Sequence, residues 1–249
     1  MVIFLSLLAV GYFIMIAYFF TSGKLSTAEF LSVVGVIPLS VIALFQEQFK
    51  RRWFAPILKL DFKLEAPYCS KTPFYLRWKD SSGVEHKVAT EAYYFRFGVT
   101  NKGKSQARLC EVFIADLQEY KEKTWHGVEY FQQVNLKWDT GKSQDAYMHI
   151  NPSQIRLLSD IGHIIKSHND LPESVENTKI FHLDYLYSIG GYQPGFLKPN
   201  TKYKFKITVV SENAVAISKT FEFYWNGLWK DSQEEMFKEM RFELKVLEF

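Results

Sequence analysis

Cysteine is scarce in this chain: two cysteines, Cys69 and Cys110, occur among 249 residues. Two thiols are too few for a disulfide-stapled scaffold or for a zinc site made of cysteines alone. The net charge is also small, +3 with neutral histidine, and by itself does not indicate a nucleic-acid-binding protein. Aromatic residues are abundant instead, with 22 Phe, 14 Tyr and 6 Trp, so we expect a large buried apolar surface.

Three sequence motifs of common enzymes are absent: there is no G-x-G-x-x-G after a strand, no G-x-S-x-G elbow and no H-E-x-x-H pair. Residues 98–105, GVTNKGKS, have the G-x-x-x-x-G-K-[ST] spacing, but they lie between two expected strands, whereas a P-loop opens a helix. His163 and His168 are five positions apart and do not share a helical face, so we expect them at the surface rather than on a metal. His149 and His182 lie in expected strands and are interpreted as structural. We therefore predict no enzymatic activity, no catalytic residues, no cofactor and no metal site.

The first fifty residues are strongly apolar. Val2 to Phe20 contains no Asp, Glu, Lys, Arg or His, and as a helix its nineteen residues rise about 28 Å, close to the ~30 Å bilayer core. A second apolar run covers 30–45, after a link in which Ser26 and Glu29 have capping-box spacing. The pattern predicts a transmembrane helical hairpin over 1–49; a buried soluble hairpin is the alternative.

Basic residues at the ends of these runs predict an orientation. The link between the runs holds only Lys24, whereas Lys50, Arg51 and Arg52 directly follow the second run. The positive-inside rule then places both termini and the large remainder of the chain in the cytoplasm, with Trp53 at the membrane interface beside the three basic residues. We therefore predict a multi-pass protein of a bacterial inner membrane, with the lipid bilayer as a partner.

Alternation with a period of two dominates the rest of the chain. Apolar and polar residues alternate clearly in three segments, 57–64, 93–100 and 202–210, as expected for half-buried strands. The residues Asn101 to Lys104 (NKGK) are a turn signal. Many strands without a βαβ pattern predict an antiparallel β-sandwich or barrel over 50–226, within an α+β, mainly β fold class.

Two segments also carry a helical pattern. The stretch 154–165 fits a helix or a strand with a bulge at Gly162, and the neighbouring alternation favours the strand. After Trp229, Asp231 and Glu234 have capping-box spacing, and apolar residues then recur on one helical face at Met236, Met240, Leu244 and Leu247. This recurrence predicts a C-terminal amphipathic helix over 227–249.

Two segments resemble parts of immunoglobulin-like (Ig-like) sandwiches in uncharacterised bacterial membrane proteins. NKGKSQA between two strands is similar to a B–C connection, and PNTKYKFKITVVSENA to the F–G portion. Tyr203 takes the place of a tyrosine-corner residue. The resemblance implies an Ig-like fold; the cysteine pair of antibody domains is missing.

Six basic residues form the candidate ligand-binding set. Lys202, Lys204 and Lys206 fall on one side of an expected strand, about 6.6 Å apart. Such a line suits a phosphate ligand, RNA or anionic headgroups. The alternative is a solvated sheet face that pairs with acidic residues across strands. The turn residues and their neighbour add positive charge to the same set: Lys102, Lys104 and Arg108.

The layout of two apolar helices and a β-domain is similar to that of two-helix bacterial anti-phage effectors of cyclic-nucleotide and retron systems. This similarity implies a membrane-anchored effector whose β-domain senses a ligand or protein partner and whose hairpins oligomerise to perturb the membrane. Homo-oligomers, a partner protein and a nucleotide or nucleic-acid trigger are the expected partners. The alternatives are a tethered protein-interaction module, a subunit of a larger membrane complex, and an enzyme whose site forms only in three dimensions.

Overall fold

The computed structural model describes residues 11, 14–23, 26–28, 53–79, 81–139, 146–152, 157–166, 180–186 and 195–245. The chain divides into two compact units, Met1–Phe54 and Ala55–Phe249. The second unit contains all the strands described below.

In the first unit, residues 14–21 are helical, and at 1.5 Å per residue this run rises about 12 Å. No helix in the described part of the chain is long and apolar enough to cross a membrane. The predicted multi-pass location in a bacterial inner membrane is therefore wrong. Most of the two predicted spans, 2–20 and 30–45, lies outside the described residues.

Seven of the described strands form the first sheet, called sheet 1. Their bounds are β1 Leu58–Asp61, β2 Cys69–Lys79, β3 Glu85–Asn101, β7 Lys137–Trp138, β9 Leu157–Ile165, β10 Phe181–Leu183 and β11 Phe196–Leu197. The strand order is β1-β3-β9-β10-β11, with β2 also paired with β3 and β7 with β9. Every pair is antiparallel.

The other seven described strands form sheet 2. Their bounds are β4 Ala107–Lys121, β5 Thr124–Gly127, β6 Val134–Asn135, β8 Met148–Ile150, β12 Lys202–Val210, β13 Ile217–Trp225 and β14 Met240–Lys245. The order is β14-β13-β12-β4-β5, and β6 and β8 also pair with β4. These pairs are antiparallel as well.

The inward faces of the two sheets pack through aromatic rings. Phe97 of β3 lies 4.5 Å from Phe221 of β13, and Phe181 of β10 lies 4.7 Å from Phe223, measured between ring centroids. All four side chains are buried, because alternation directs every second residue of these strands inward. The fold is mainly β, with two antiparallel sheets, consistent with the predicted β-sandwich.

One short stretch of chain passes from sheet 2 to sheet 1. β6 pairs with β4, and only Leu136 separates β6 from β7, which pairs with β9. The segment after β10 closes the same side, because Tyr185 forms a bridge with Leu136 and the amide of Leu186 donates to the Asn135 carbonyl. We call residues 134–139 and 184–186 the seam.

The C-terminal segment differs from the prediction. The helix covers Gln233–Lys238 only, and β14 follows it. Met240 and Phe242 are buried while Arg241 and Glu243 are exposed, so a period of two competes with the helical pattern. Pairing with β13 satisfies the backbone of this segment, and the strand prevails over the predicted helix. Within the ambiguous stretch 154–165, the described residues Leu157–Ile165 form a strand. Its register shift leaves Ile161 without a partner on β3, whereas the predicted bulge position, Gly162, pairs with Phe95.

Candidate functional site

The connection between β3 and β4 crosses from one sheet to the other, and a buried asparagine organises it. The side-chain amide of Asn101 donates to the carbonyls of Ser105 (2.7 Å) and Ile150 (2.9 Å). Its Oδ1 accepts from the amides of Gly103 (2.9 Å) and Ile57 (3.1 Å). One side chain therefore ties this connection to both β1 and β8.

A second asparagine joins the β12–β13 loop to the same end of the sandwich. Oδ1 of Asn213 accepts from the amide of Arg108 at 2.9 Å, and Nδ2 donates to the Gln106 carbonyl at 2.9 Å. The hydroxyl of Ser211 donates to the Arg108 carbonyl at 3.0 Å. The two connections are thus hydrogen-bonded to each other. We call residues 102–109, 147–149 and 211–216 the loop end.

Leu109 has an unusual backbone conformation at the loop end. Its φ is +48°, a left-handed conformation that costs a leucine about 1–2 kcal/mol. It lies in an irregular part of the β4–β8 pairing, where its amide faces Nδ1 of His149 at 3.4 Å. Its side chain is 44% exposed, and Tyr147 and Val215 nearby in the fold are 54% and 85% exposed. The loop end therefore presents apolar side chains on a hydrogen-bonded frame.

Three of the predicted ligand-binding residues belong to the loop end. Lys102, Lys104 and Arg108 are exposed, and Nε of Arg108 lies 3.5 Å from a carboxylate oxygen of Glu212. The other three lie along β12, and Lys206 is separated from the end of that strand, Val210, by about 13 Å. The structure therefore does not gather the six residues into one site.

Lys202, Lys204 and Lys206 lie on the outer face of sheet 2, as the alternation predicted. Nζ of Lys204 is 3.8 Å from a carboxylate oxygen of Glu222 and 3.8 Å from the ring centroid of Trp125. Nζ of Lys202 lies 5.7 Å from the ring centroid of Tyr120.

Acidic residues stand among these lysines. Asp116 is the cross-strand neighbour of Lys206, and Glu222 that of Lys204. Their carboxylates offset part of the positive charge, an arrangement typical of a solvated sheet face. Binding of an anionic ligand here stays a prediction.

A polar cluster on the outer face of sheet 1 was missed by the sequence reasoning. Nε of Arg96 lies 2.9 Å from Oδ1 of Asp160 and 3.1 Å from Oδ2 of Asp139, and its Nη1 donates to the Ser70 hydroxyl at 3.0 Å. Nδ1 of His163 lies 2.9 Å from Oδ2 of Asp184. We call Arg96, Asp139, Asp160, His163 and Asp184 the seam cluster, because Asp139 and Asp184 belong to the seam.

Most of the seam cluster is withdrawn from solvent. The side chains of Arg96, Asp160, His163 and Asp184 are 13–19% exposed. Burial raises the pKa of Asp160 from 3.8 to about 6; Arg96 opposes this rise, and the carboxylates of Asp139 and Asp184 add to it. Burial also raises the pKa of Tyr94, on the same face, to about 12, with Asp184 and Asp160 contributing.

The prediction that His163 lies at the surface is wrong, and that for His168 is not tested. His163 is not a surface residue: it packs between rings, 5.1 Å from His182 and 5.1 Å from Tyr94 between centroids. His168 lies outside the described residues. The described part of the chain holds no group of three or more His, Cys, Asp or Glu side chains that could bind a metal ion. The sequence does contain charged residues within the apolar strands β3 and β9, Arg96 and Asp160. It does not show that these two strands are neighbours, so the seam cluster could not be predicted from it.

The other residues singled out in the sequence are the predicted membrane-interface set and the two cysteines. Lys50, Arg51 and Arg52, predicted at the membrane interface, lie outside the described residues, and Trp53 is 61% exposed. Both cysteines are buried, and burial raises the pKa of the Cys69 thiol well above its usual range. A buried, protonated thiol is a poor nucleophile.

Comparison of the chain with models of protein families, with curated proteins and with solved structures gave no match.

Proposed function

We propose that the unit Ala55–Phe249 is an Ig-like recognition module that binds a protein partner at its loop end and catalyses no reaction. The observation that carries the proposal is the pair of connections held together by Asn213, with exposed Leu109 and Val215 beside them. A rigid frame that exposes apolar side chains loses little conformational entropy when it binds.

Strand order supports the Ig-like part of the proposal. In Ig-like sandwiches one sheet has the order A-B-E-D and the other G-F-C. Here β1-β3-β9-β7 and β13-β12-β4 have the matching order and chain sequence. The β3–β4 and β12–β13 connections then correspond to the B–C and F–G loops, which in antibody variable domains contact antigen.

Tyr203 supplies separate support. It is the second residue of β12, the strand that corresponds to F, and its hydroxyl accepts a 3.1 Å hydrogen bond from the amide of Lys198. A tyrosine corner has this geometry, with a tyrosine near the start of strand F bonded to the backbone a few residues upstream.

The membrane-perturbing effector function is not part of this proposal, because it required the multi-pass location that the structure contradicts. What is retained is the idea of a β-domain that recognises a partner. The absence of catalysis is proposed because the hydroxyl that contacts the seam cluster, that of Ser70, bonds to Arg96 and not to the paired His163, and both thiols are buried.

Site-specific photo-cross-linking tests the proposal. The full chain carries p-benzoylphenylalanine at Val215 in one variant and at Val84, a valine exposed in the β2–β3 turn, in the matched control. In the source cells, we expect a discrete cross-linked protein from position 215 that is absent from position 84. Adding Leu109→Asp should remove that product while the circular dichroism spectrum is kept. The same products from both positions, or no discrete product at position 215, contradict the proposal.

A further inference from the structure

The seam cluster brings together charges from four separate stretches of chain. Arg96 lies on β3 and Asp160 on β9, while Asp139 directly follows β7. Asp184 directly follows β10 and meets His163 of β9. β7 and β10 have only two and three residues, so few ladder hydrogen bonds hold them to β9. The ion pairs add to the buried side chains of Trp138, Phe181 and Leu183 in fixing these short strands.

Backbone hydrogen bonds connect the same groups to the seam. The amide of Asp139 donates to the Leu158 carbonyl and the amide of Asp184 to the Ile161 carbonyl, both at 2.9 Å. Two residues further along, the amide of Leu186 donates to the Asn135 carbonyl of sheet 2, also at 2.9 Å. Any change in how firmly Asp139 and Asp184 are held is thus transmitted to the place where the two sheets join.

The seam cluster holds three carboxylates and one guanidinium, so its negative charges outnumber its positive charge. Arg96 cannot neutralise Asp139 and Asp160 fully at once, and Asp184 adds repulsion toward Asp160. The groups of the described residues that lie around Asp160 on its own and the neighbouring strands are Tyr94 and Arg96 on β3, Lys137 and Asp139 at β7, His163 on β9, and His182 and Asp184 at β10.

We propose that the seam cluster is an acid-strengthened latch, which holds the seam more firmly once Asp160 has taken up a proton. Protonation removes the buried charge of Asp160 and leaves Arg96 to pair with Asp139. This proposal concerns a different surface from the loop end and does not depend on the proposed function.

The direction of the effect follows from linkage. The folded-state pKa of Asp160, about 6, lies above the value of 3.8 for an exposed carboxyl. The stabilisation from its protonation is therefore fully present below pH 3.8 and is lost as the pH rises through 6. For an opening of the seam that exposes Asp160, the closing equilibrium should be about tenfold more favourable at pH 5 than at pH 7.5.

Hydrogen exchange of the full chain measures this opening directly. After correction for intrinsic rates, we expect the protection of the Asp139, Asp184 and Leu186 amides to rise about tenfold from pH 7.5 to pH 5. The amide of Glu212, which donates to the Arg108 carbonyl at the loop end, reports changes elsewhere in the domain and should show less than a twofold change. Equal gains at Glu212 and at the seam would mean a global effect and overturn the proposal.

Two variants separate the latch from general acid effects. Asp160→Asn should abolish the pH dependence at the seam, whereas Asp116→Asn, on the outer face of sheet 2, should keep it. A tenfold gain that persists in D160N overturns the proposal. If D160N does not fold, carboxyl NMR titration of the unmodified chain decides: a midpoint for Asp160 near 6 supports the latch, and one near 4 overturns it.

Discussion

The backbone amide of Lys198 donates a hydrogen bond of 3.1 Å to the hydroxyl of Tyr203, five residues further along the chain. The tyrosine ring is buried, and burial raises the pKa of its hydroxyl. The bond therefore holds the backbone before β12, at Lys198, against a buried side chain of β12 itself. β12 is the middle strand of the order β14-β13-β12-β4-β5 in sheet 2.

Replacing Tyr203 by Phe should lower the free energy of unfolding by about 1 kcal/mol, because the amide of Lys198 loses its acceptor while the ring is retained. Urea denaturation measures the change. Tyr224→Phe is the matched control, since its hydroxyl makes only a 3.4 Å contact with Asn200 at the exposed surface; its effect should stay within about 0.5 kcal/mol. Equal losses in the two variants would contradict a special role for Tyr203.

Gly162 should tolerate no side chain. A Cβ at this position would collide with the carbonyl oxygen of His182 and the ring of Phe181. Backbone cannot withdraw as a flexible side chain does, so Gly162→Ala should cost about 1–3 kcal/mol in thermal or urea unfolding. Gly127→Ala, where a Cβ meets nothing within 4 Å, should be nearly neutral. A neutral Gly162→Ala would show that β10 does not approach β9 this closely.

Leu109→Gly should stabilise the domain. Glycine adopts a positive φ without strain, and the relief of about 1–2 kcal/mol exceeds the gain in unfolded-chain entropy of about 0.4–1 kcal/mol. Leu228→Gly provides the opposite case, because Leu228 is similarly exposed but is absent from the described positions with positive φ. In differential scanning calorimetry, the melting temperature of L109G should be higher than that of the unmodified chain, and that of L228G should be lower. A lower melting temperature for L109G refutes the strain.

The two loop-end asparagines should differ in their effect on stability. Asn101 is buried and makes four hydrogen bonds, so Asn101→Ala should cost at least about 2 kcal/mol, including the stranded Ile150 carbonyl. Asn213 lies nearer the surface, and Asn213→Ala should cost about 0.5–1.5 kcal/mol while it increases hydrogen exchange at the Arg108 amide. Equilibrium unfolding gives both values. A larger loss for N213A would reverse the assigned order.

Alternation predicted individual strands of this fold well. In 202–210 every second residue is apolar over the whole of β12, and in 93–100 over the second half of β3. Alternation does not state which sheet a strand joins, so the NKGK turn was compatible with a hairpin, although β3 and β4 belong to different sheets. In the C-terminal segment, Met236 and Met240 satisfy a helical period and Met240 and Phe242 a period of two. Pairing with β13, a long-range contact, decides between them.

The candidate sites were harder to predict for the same reason. The lysines of β12 share one strand, so their common face followed from the sequence, but the neighbouring Asp116 and Glu222 come from other strands. The seam cluster depends entirely on such neighbours, because Arg96 and Asp160 are 64 positions apart in the chain. Only the register of β3 against β9 brings them into contact.

The seam has a consequence for how the domain unfolds. A stretch of five residues, 134–138, supplies one strand to each sheet with a single residue between them. Separating the sheets therefore strips a strand from one of them, so neither layer has an independent melting transition. A reporter in either layer, such as Trp138 or Trp225, should record the same cooperative loss of structure.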